Sequence, residues 1–205
     1  IQLLGEHAST TVINCSGNSP CIRTLNNGFG TSKTGYSGIS IKNIKFQASD
    51  SAGIQEHLLM IRNTNGVNVE NCIFTHIGSP PFSGSPESLW IEHSQHVNVR
   101  GNYIYNVSGD GVQINGVDYF VVDSNIISSS SDDGIDIDFD FGDTGTVPAR
   151  WGTVSNNTIR RVPRGNGIRV ENSSHVSVTG NSVSDIGNSC IIVNNSSHTN
   201  AEVRN

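Results

Sequence analysis

The sequence predicts an all-β solenoid, in which short parallel strands stack rung upon rung around one apolar interior. Three observations carry this. A motif of two apolar residues at alternate positions, a polar step, an asparagine and another apolar residue recurs along the chain. A second strand pattern precedes it in each rung. No segment shows helical periodicity, and glycine (22 residues), serine and asparagine fill the turns.

Taken in order, the first pattern reads GISIKNIKF (38–46), GVNVENCIF (66–74), HVNVRGNYI (96–104), YFVVDSNII (119–127), GTVSNNTI (152–159) and HVSVTGNSV (175–183). Its asparagines, Asn43, Asn71, Asn102, Asn125, Asn157 and Asn181, are 28, 31, 23, 32 and 24 residues apart and are expected to form one hydrogen-bonded ladder. The second pattern reads LLMIRN (58–63), LWIEHS (89–94), GVQING (111–116), GIDIDF (134–139), GIRVEN (167–172) and CIIVNN (190–195). Its inward residues Ile61, Ile91, Ile114, Ile137, Val170 and Val193 are spaced by 30, 23, 23, 33 and 23. Both registers give a minimum rung of 23 residues and place insertions in the same rungs, so about 7–8 rungs fill one domain, 1–205. A β-sandwich also has closely spaced strands, but gives asparagine no reason to recur at one phase.

Charged residues make up 15% of the chain and net charge is -6 with three lysines, which argues against nucleic acid as a partner. No apolar run is long enough for a membrane span. Cys15 and Cys21 are close enough in sequence for a loop disulfide, Cys72 and Cys190 are expected to be buried, and no zinc spacing occurs.

These rungs resemble the right-handed parallel β-helix superfamily of pectate lyases, polygalacturonases and phage tailspikes, which implies a right-handed single-stranded parallel β-helix. The opening IQLLGEHASTTVINC resembles a rung that follows an N-terminal segment in tailspike-like members, and HTNAEVRN stops mid-pattern, so a fragment of a longer chain is expected. The resemblance implies an extracellular, secreted, virion or cell-surface setting, and a homotrimer if the chain is tailspike-like.

Strand alternation turns Asp136 and Asp138 outward beside inward Ile135 and Ile137. Registering the rungs gives one outward column, Met60, Trp90, Gln113, Asp136, Arg169 and Ile192, and a second, Arg62, Glu92, Asn115, Asp138, Glu171 and Asn194. At the turn before the strand, Asp110 stacks over Asp133, Asn166 and Ser189. Crowded carboxylates raise one another's pKa and supply an acid beside a base, so Asp110, Asp132, Asp133, Asp136 and Asp138 are the catalytic candidates. Substrate would meet Trp90, Glu92, His93, Gln113, Arg169 and Glu171, with Arg169 holding a sugar carboxylate and Trp90 a ring. Phe141 and Trp151, in the insertion 140–152, either wall a groove or cover the flank. A solvated acidic face, or calcium bound by clustered carboxylates, stays open; no EF-hand spacing is present, and no metal or other cofactor is expected.

SGDGVQI (108–114) followed by SDDGIDI (131–137) resembles the catalytic rungs of polygalacturonase-like glycosidases. That implies Asp110, Asp132 and Asp133 around the scissile bond in an inverting hydrolysis, although Gly165-Asn166-Gly167 stands where the family has gly-his-gly. SLWIEHSQHVNVRGN (88–102) resembles a pectate lyase strand, which implies a lyase with an arginine base. The expected activity is cleavage of an extracellular, possibly acidic, polysaccharide or oligosaccharide. A glycan-binding tailspike or adhesin is the alternative, and a lyase or uronate epimerase a further one.

Overall fold

The computed structural model describes residues 1–15, 20–24, 35–49, 57–77, 87–142, 145–194 and 202–204. The chain is a right-handed parallel β-helix. Each rung contributes one strand to each of three parallel sheets of eight, seven and seven strands, and the described residues contain no helix. Sheet I includes Gln95–Arg100, Asp118–Asp123, Arg150–Ser155 and Ser174–Thr179; sheet II includes Tyr103–Val107, Ile126–Ser130 and Thr158–Val162. Sheet III is built from Ile22–Arg23, Leu59–Arg62, Leu89–Glu92, Val112–Asn115, Ile135–Asp138, Ile168–Glu171 and Ile191–Asn194. Its register pairs Trp90 with Gln113, Gln113 with Asp136 and Asp136 with Arg169, as strand alternation and rung length demand.

The interior is a stack of β-branched and aromatic side chains. Ile91, Ile114, Ile137 and Val170 form one fully buried column of sheet III, and Phe46 stacks on Phe74 with ring centroids 5.0 Å apart. Large and small residues alternate between rungs where volume requires it. A Cβ at Gly152 would lie 1.9 Å from the Phe120 ring of the preceding rung, so glycine makes the room that phenylalanine fills.

The asparagine ladder runs through Asn102, Asn125, Asn157 and Asn181. Each side-chain oxygen accepts the backbone N–H of the asparagine one rung earlier, at 2.9–3.0 Å. The Asn102 oxygen accepts the Cys72 N–H in the same way. This corrects the sequence register by one residue in two rungs. The ladder position there is occupied by buried Ile44 and Cys72, whereas Asn43 and Asn71 take the preceding left-handed turn position (φ 58° and 54°). Gly101, Ser124, Asn156 and Gly180 hold that position in the later rungs. Asparagine tolerates both environments, the turn by its short polar side chain and the ladder by its amide, so its recurrence alone does not distinguish them.

Cys15 and Cys21 form a disulfide, Cα atoms 5.1 Å apart, and Cys72 is buried. Cys190 is exposed, contrary to the expectation from its apolar neighbours. The insertion after the acidic strand contains an antiparallel hairpin, Asp140–Gly142 with Gly145–Val147. Most of the other two long insertions, at 25–38 and 79–88, lies outside the described residues.

Candidate functional site

One turn column runs along the edge of sheet III. Successive backbone bonds, Leu58 N to Glu87 O, Ser88 N to Asp110 O, Gly111 N to Asp133 O, Gly134 N to Asn166 O and Gly167 N to Ser189 O, place His57, Glu87, Asp110, Asp133, Asn166 and Ser189 in line. Four of their side chains cap the next rung. His57 Nδ1 accepts the Glu87 N–H at 3.2 Å, Asp110 Oδ1 that of Asp133 at 2.7 Å, Asp133 Oδ1 that of Asn166 at 2.5 Å, and Asn166 Oδ1 that of Ser189 at 3.2 Å. Asp110 and Asp133 therefore have an architectural duty that the sequence reading did not assign. His57 and Glu87 were missed altogether; extending the Asp110–Asp133 column back by two rungs reaches both.

The five candidate aspartates do come together. Oxygens of Asp110, Asp132 and Asp133 lie within 4.8 Å of one another. Asp132 is exposed, whereas Asp110, Asp133 and Asp136 are 6%, 2% and 2% exposed. Arg169 lies across the group, with Nη1 3.5 Å from Asp133 Oδ2 and 3.7 Å from Asp136 Oδ2, and Nη2 3.4 Å from Asp138 Oδ2. Its Nε donates to Glu171 Oε2 at 2.7 Å. One guanidinium thus serves four carboxylates.

The electrostatics follow from burial and this shortage of cations. Burial, then the charges of Asp136, Asp132, Glu87 and Asp133, pushes the Asp110 carboxyl well above the usual carboxylate range. Burial pushes Asp136 up to about 8, with Arg169 offsetting part of the shift. Partial desolvation and the Asp133 charge raise Asp132, again against the pull of Arg169. Asp138 is raised by desolvation, against a hydrogen bond from the Phe139 N–H. The Arg169 guanidinium is lowered by burial but more strongly raised by Asp136, Glu171 and Asp138, so it stays charged.

The other candidates separate from this cluster. Trp90 and Gln113 lie in the Asp136 column as expected, and the His57 and Trp90 rings meet edge to face with centroids 4.3 Å apart. Glu92 and His93 do not line an open face. Each is 2% exposed; Glu92 is ion-paired with Arg62, and His93 takes a left-handed turn (φ 45°) where sheet III bends into sheet I. A carboxylate leaving water needs a counter-charge, and Arg62 on the preceding rung supplies it. Trp151 belongs to sheet I, where it stacks on Tyr119 (5.0 Å) beneath the Arg150 guanidinium, and Arg150 itself is held by Asp118. That aromatic column continues to His96 and His175, so of the two roles open to Trp151 it takes the flank. The Phe141 side chain lies outside the described residues.

A parallel β-helix whose third sheet presents a carboxylate-rich face under a single arginine defines the class of protein. The chain belongs to the right-handed β-helix family: the family model described as a right-handed β-helix region matches residues 27–205. No curated protein matches the sequence. Among solved structures, the chain is similar to the A-module of mannuronan C-5 epimerase AlgE4 from Azotobacter vinelandii, with a TM-score of 0.50 and 11% identity. The likeness covers 92% of this chain but 57% of that one, and at this identity it speaks for the fold alone.

Proposed function

We propose that sheet III binds a polysaccharide and cleaves it by carboxylate acid–base hydrolysis. The observation that supports this is a buried carboxyl, Asp110, pushed well above the usual carboxylate range, with an oxygen within 4.8 Å of one on an exposed carboxyl, Asp132. Environments that push two carboxyls apart in protonation supply an acid and a base at one pH. Asp110 would donate its proton to the glycosidic oxygen as that bond breaks, while Asp132 attacks the anomeric carbon. Water would then hydrolyse the glycosyl ester, giving its proton to Asp110 and its hydroxyl to the sugar. Oxygens no more than 4.8 Å apart leave less room than the about 6.5–9.5 Å that the inverting route needs for a water between, and so favour this double displacement, for which about 5 Å is usual. The Cys15–Cys21 disulfide is in keeping with work outside the cell or on a virion or cell surface.

The test is release of reducing ends from a polysaccharide panel by the parent and by Asp132→Asn. Asp132 is exposed and its side chain caps no backbone N–H among the described residues, so the variant should fold. Turnover is expected to drop about 10²-fold or more. No product from the parent on any polymer, or unchanged turnover in the variant, would sink the hydrolase reading.

A second reading is a glycan-binding β-helix without turnover. It is favoured by the capping role that Asp110 and Asp133 share with His57 and Asn166, which explains two of the aspartates without chemistry. Binding by the parent with no reducing ends would select it, and a tailspike-like homotrimer would then be the assembly to look for.

A further inference from the structure

We infer that the sheet III face is built for an uncharged polysaccharide, not for the uronates that the fold first suggests; this rests on the reading that sheet III takes a polysaccharide at all. An anionic sugar needs an unpaired cation. Arg169 is enclosed by Asp133, Asp136, Asp138 and Glu171, Arg62 is paired with Glu92, and the exposed Arg23 lies at the far end of the sheet, four rungs from Asp136. With Glu87, Asp110 and Asp132 close by, a uronate carboxylate would enter a region already short of positive charge.

The orphaned polar atoms specify the complementary chemistry. Among the described residues, and setting aside the ion-paired atoms of Arg62, Glu87 and Glu92, the outward columns of sheet III hold three buried side-chain atoms with no hydrogen-bond partner: Trp90 Nε1, Asn115 Oδ1 and Asp136 Oδ1. Asn115 and Asp136 are 8% and 2% exposed, so these atoms are costly to leave unpaired. They make opposite demands. The indole N–H needs an acceptor and the amide oxygen needs a donor. Trp90 pairs with Gln113 and Glu92 with Asn115 in the same two strands, so both demands fall on neighbouring rungs. An ammonium group cannot pair with the indole N–H, and a carboxylate cannot pair with the amide oxygen. A hydroxyl satisfies both, and a sugar presents hydroxyls in series.

The test compares affinity and reducing-end release for a neutral galactomannan, anionic polygalacturonate and alginate, and cationic chitosan, from low salt to about 0.5 M, where surface electrostatics are screened. Binding of the galactomannan with a Kd constant within about twofold across that range is expected. Trp90→Phe, which keeps the ring and removes the N–H, should weaken that binding about three- to tenfold. Preference for either anionic polymer, with Arg169→Gln weakening it, would overturn the inference. Selective chitosan binding that fades with salt, or an unchanged Kd in Trp90→Phe, would overturn it as well. Neutral polymer bound but not cleaved would uphold the inference and remove the hydrolase, whereas no binding to any class would remove both.

Discussion

Asp136 shows what a solenoid does to a single side chain. Alternation turns it away from the core, yet neighbouring rungs only about 4.8 Å apart cover it, leaving it 2% exposed. Its pKa is raised from 3.8 to about 8, so between those values the folded state holds a proton that the unfolded chain has released. Stability from this group is therefore fully present below about pH 4 and is lost as pH rises through about 8. Denaturant midpoints measured across that window should fall as pH rises, and Asp136→Asn, which keeps the shape without the charge, should flatten the slope. An equal slope in the variant would place the effect elsewhere, first on Asp110, whose shift has the same sign. The column of Asp136 was legible because alternation and rung length are sequence properties. The closure over it, and the pairing that buries Glu92 against Arg62, were not, since they depend on side-chain reach between rungs.

At the scale of the element, the asparagine ladder is the device that fixes rung spacing. Asn125 is fully buried, donates to Val99 O and Asn157 Oδ1, and accepts from the N–H and amide of Asn102. Asn125→Ala would take the side-chain partner from the Asn102 N–H and amide and from Val99 O, while Asn157 Oδ1 keeps the Asn125 backbone N–H. Each buried orphan costs about 1–3 kcal/mol, so a loss of about 3 kcal/mol or more is expected in chemical denaturation. Asn181, half-buried and at the end of the described ladder, should cost less when truncated. Equal losses at the two sites would mean that the ladder does not act as a chain. The ladder's existence could be read from recurrence, but its register could not be read in the rungs of Ile44 and Cys72. There the apolar residue replaces the amide, and the turn asparagine one position earlier imitates it. The turn column of His57, Glu87, Asp110 and Asp133 was legible only in part for a related reason. Three residue types, His, Asp and Asn, perform one capping task there, so chemistry varies while position is constant.

The whole molecule is a one-dimensional stack, and its stability should divide accordingly. Each strand pairs with the same sheet's strand in the adjoining rungs, so a perturbation reaches distant rungs only through those between. The Cys15–Cys21 disulfide tests this. It joins the sheet II and sheet III strands of the rung formed by Gln2–Leu4, Val12–Cys15 and Ile22–Arg23, which has a neighbouring rung on one side only among the described residues. Closing so short a loop restricts the unfolded chain by about 2 kcal/mol, and the double variant Cys15→Ser/Cys21→Ser gives this up. In a uniformly cooperative globule that loss would appear everywhere. In a nearest-neighbour stack it should stay local, because the next rung keeps its own paired neighbour. Hydrogen exchange should accelerate for amides of Gln2–Leu4, Val12–Cys15 and Ile22–Arg23, while amides of Val112–Asn115, Ile135–Asp138 and Ile168–Glu171 keep their protection. The polysaccharide binding proposed for the acidic site, built on those last three strands, should then be unchanged. Uniform acceleration across all three sheets would show instead that the rungs unfold as one unit, and that the solenoid's modular geometry does not extend to its energetics.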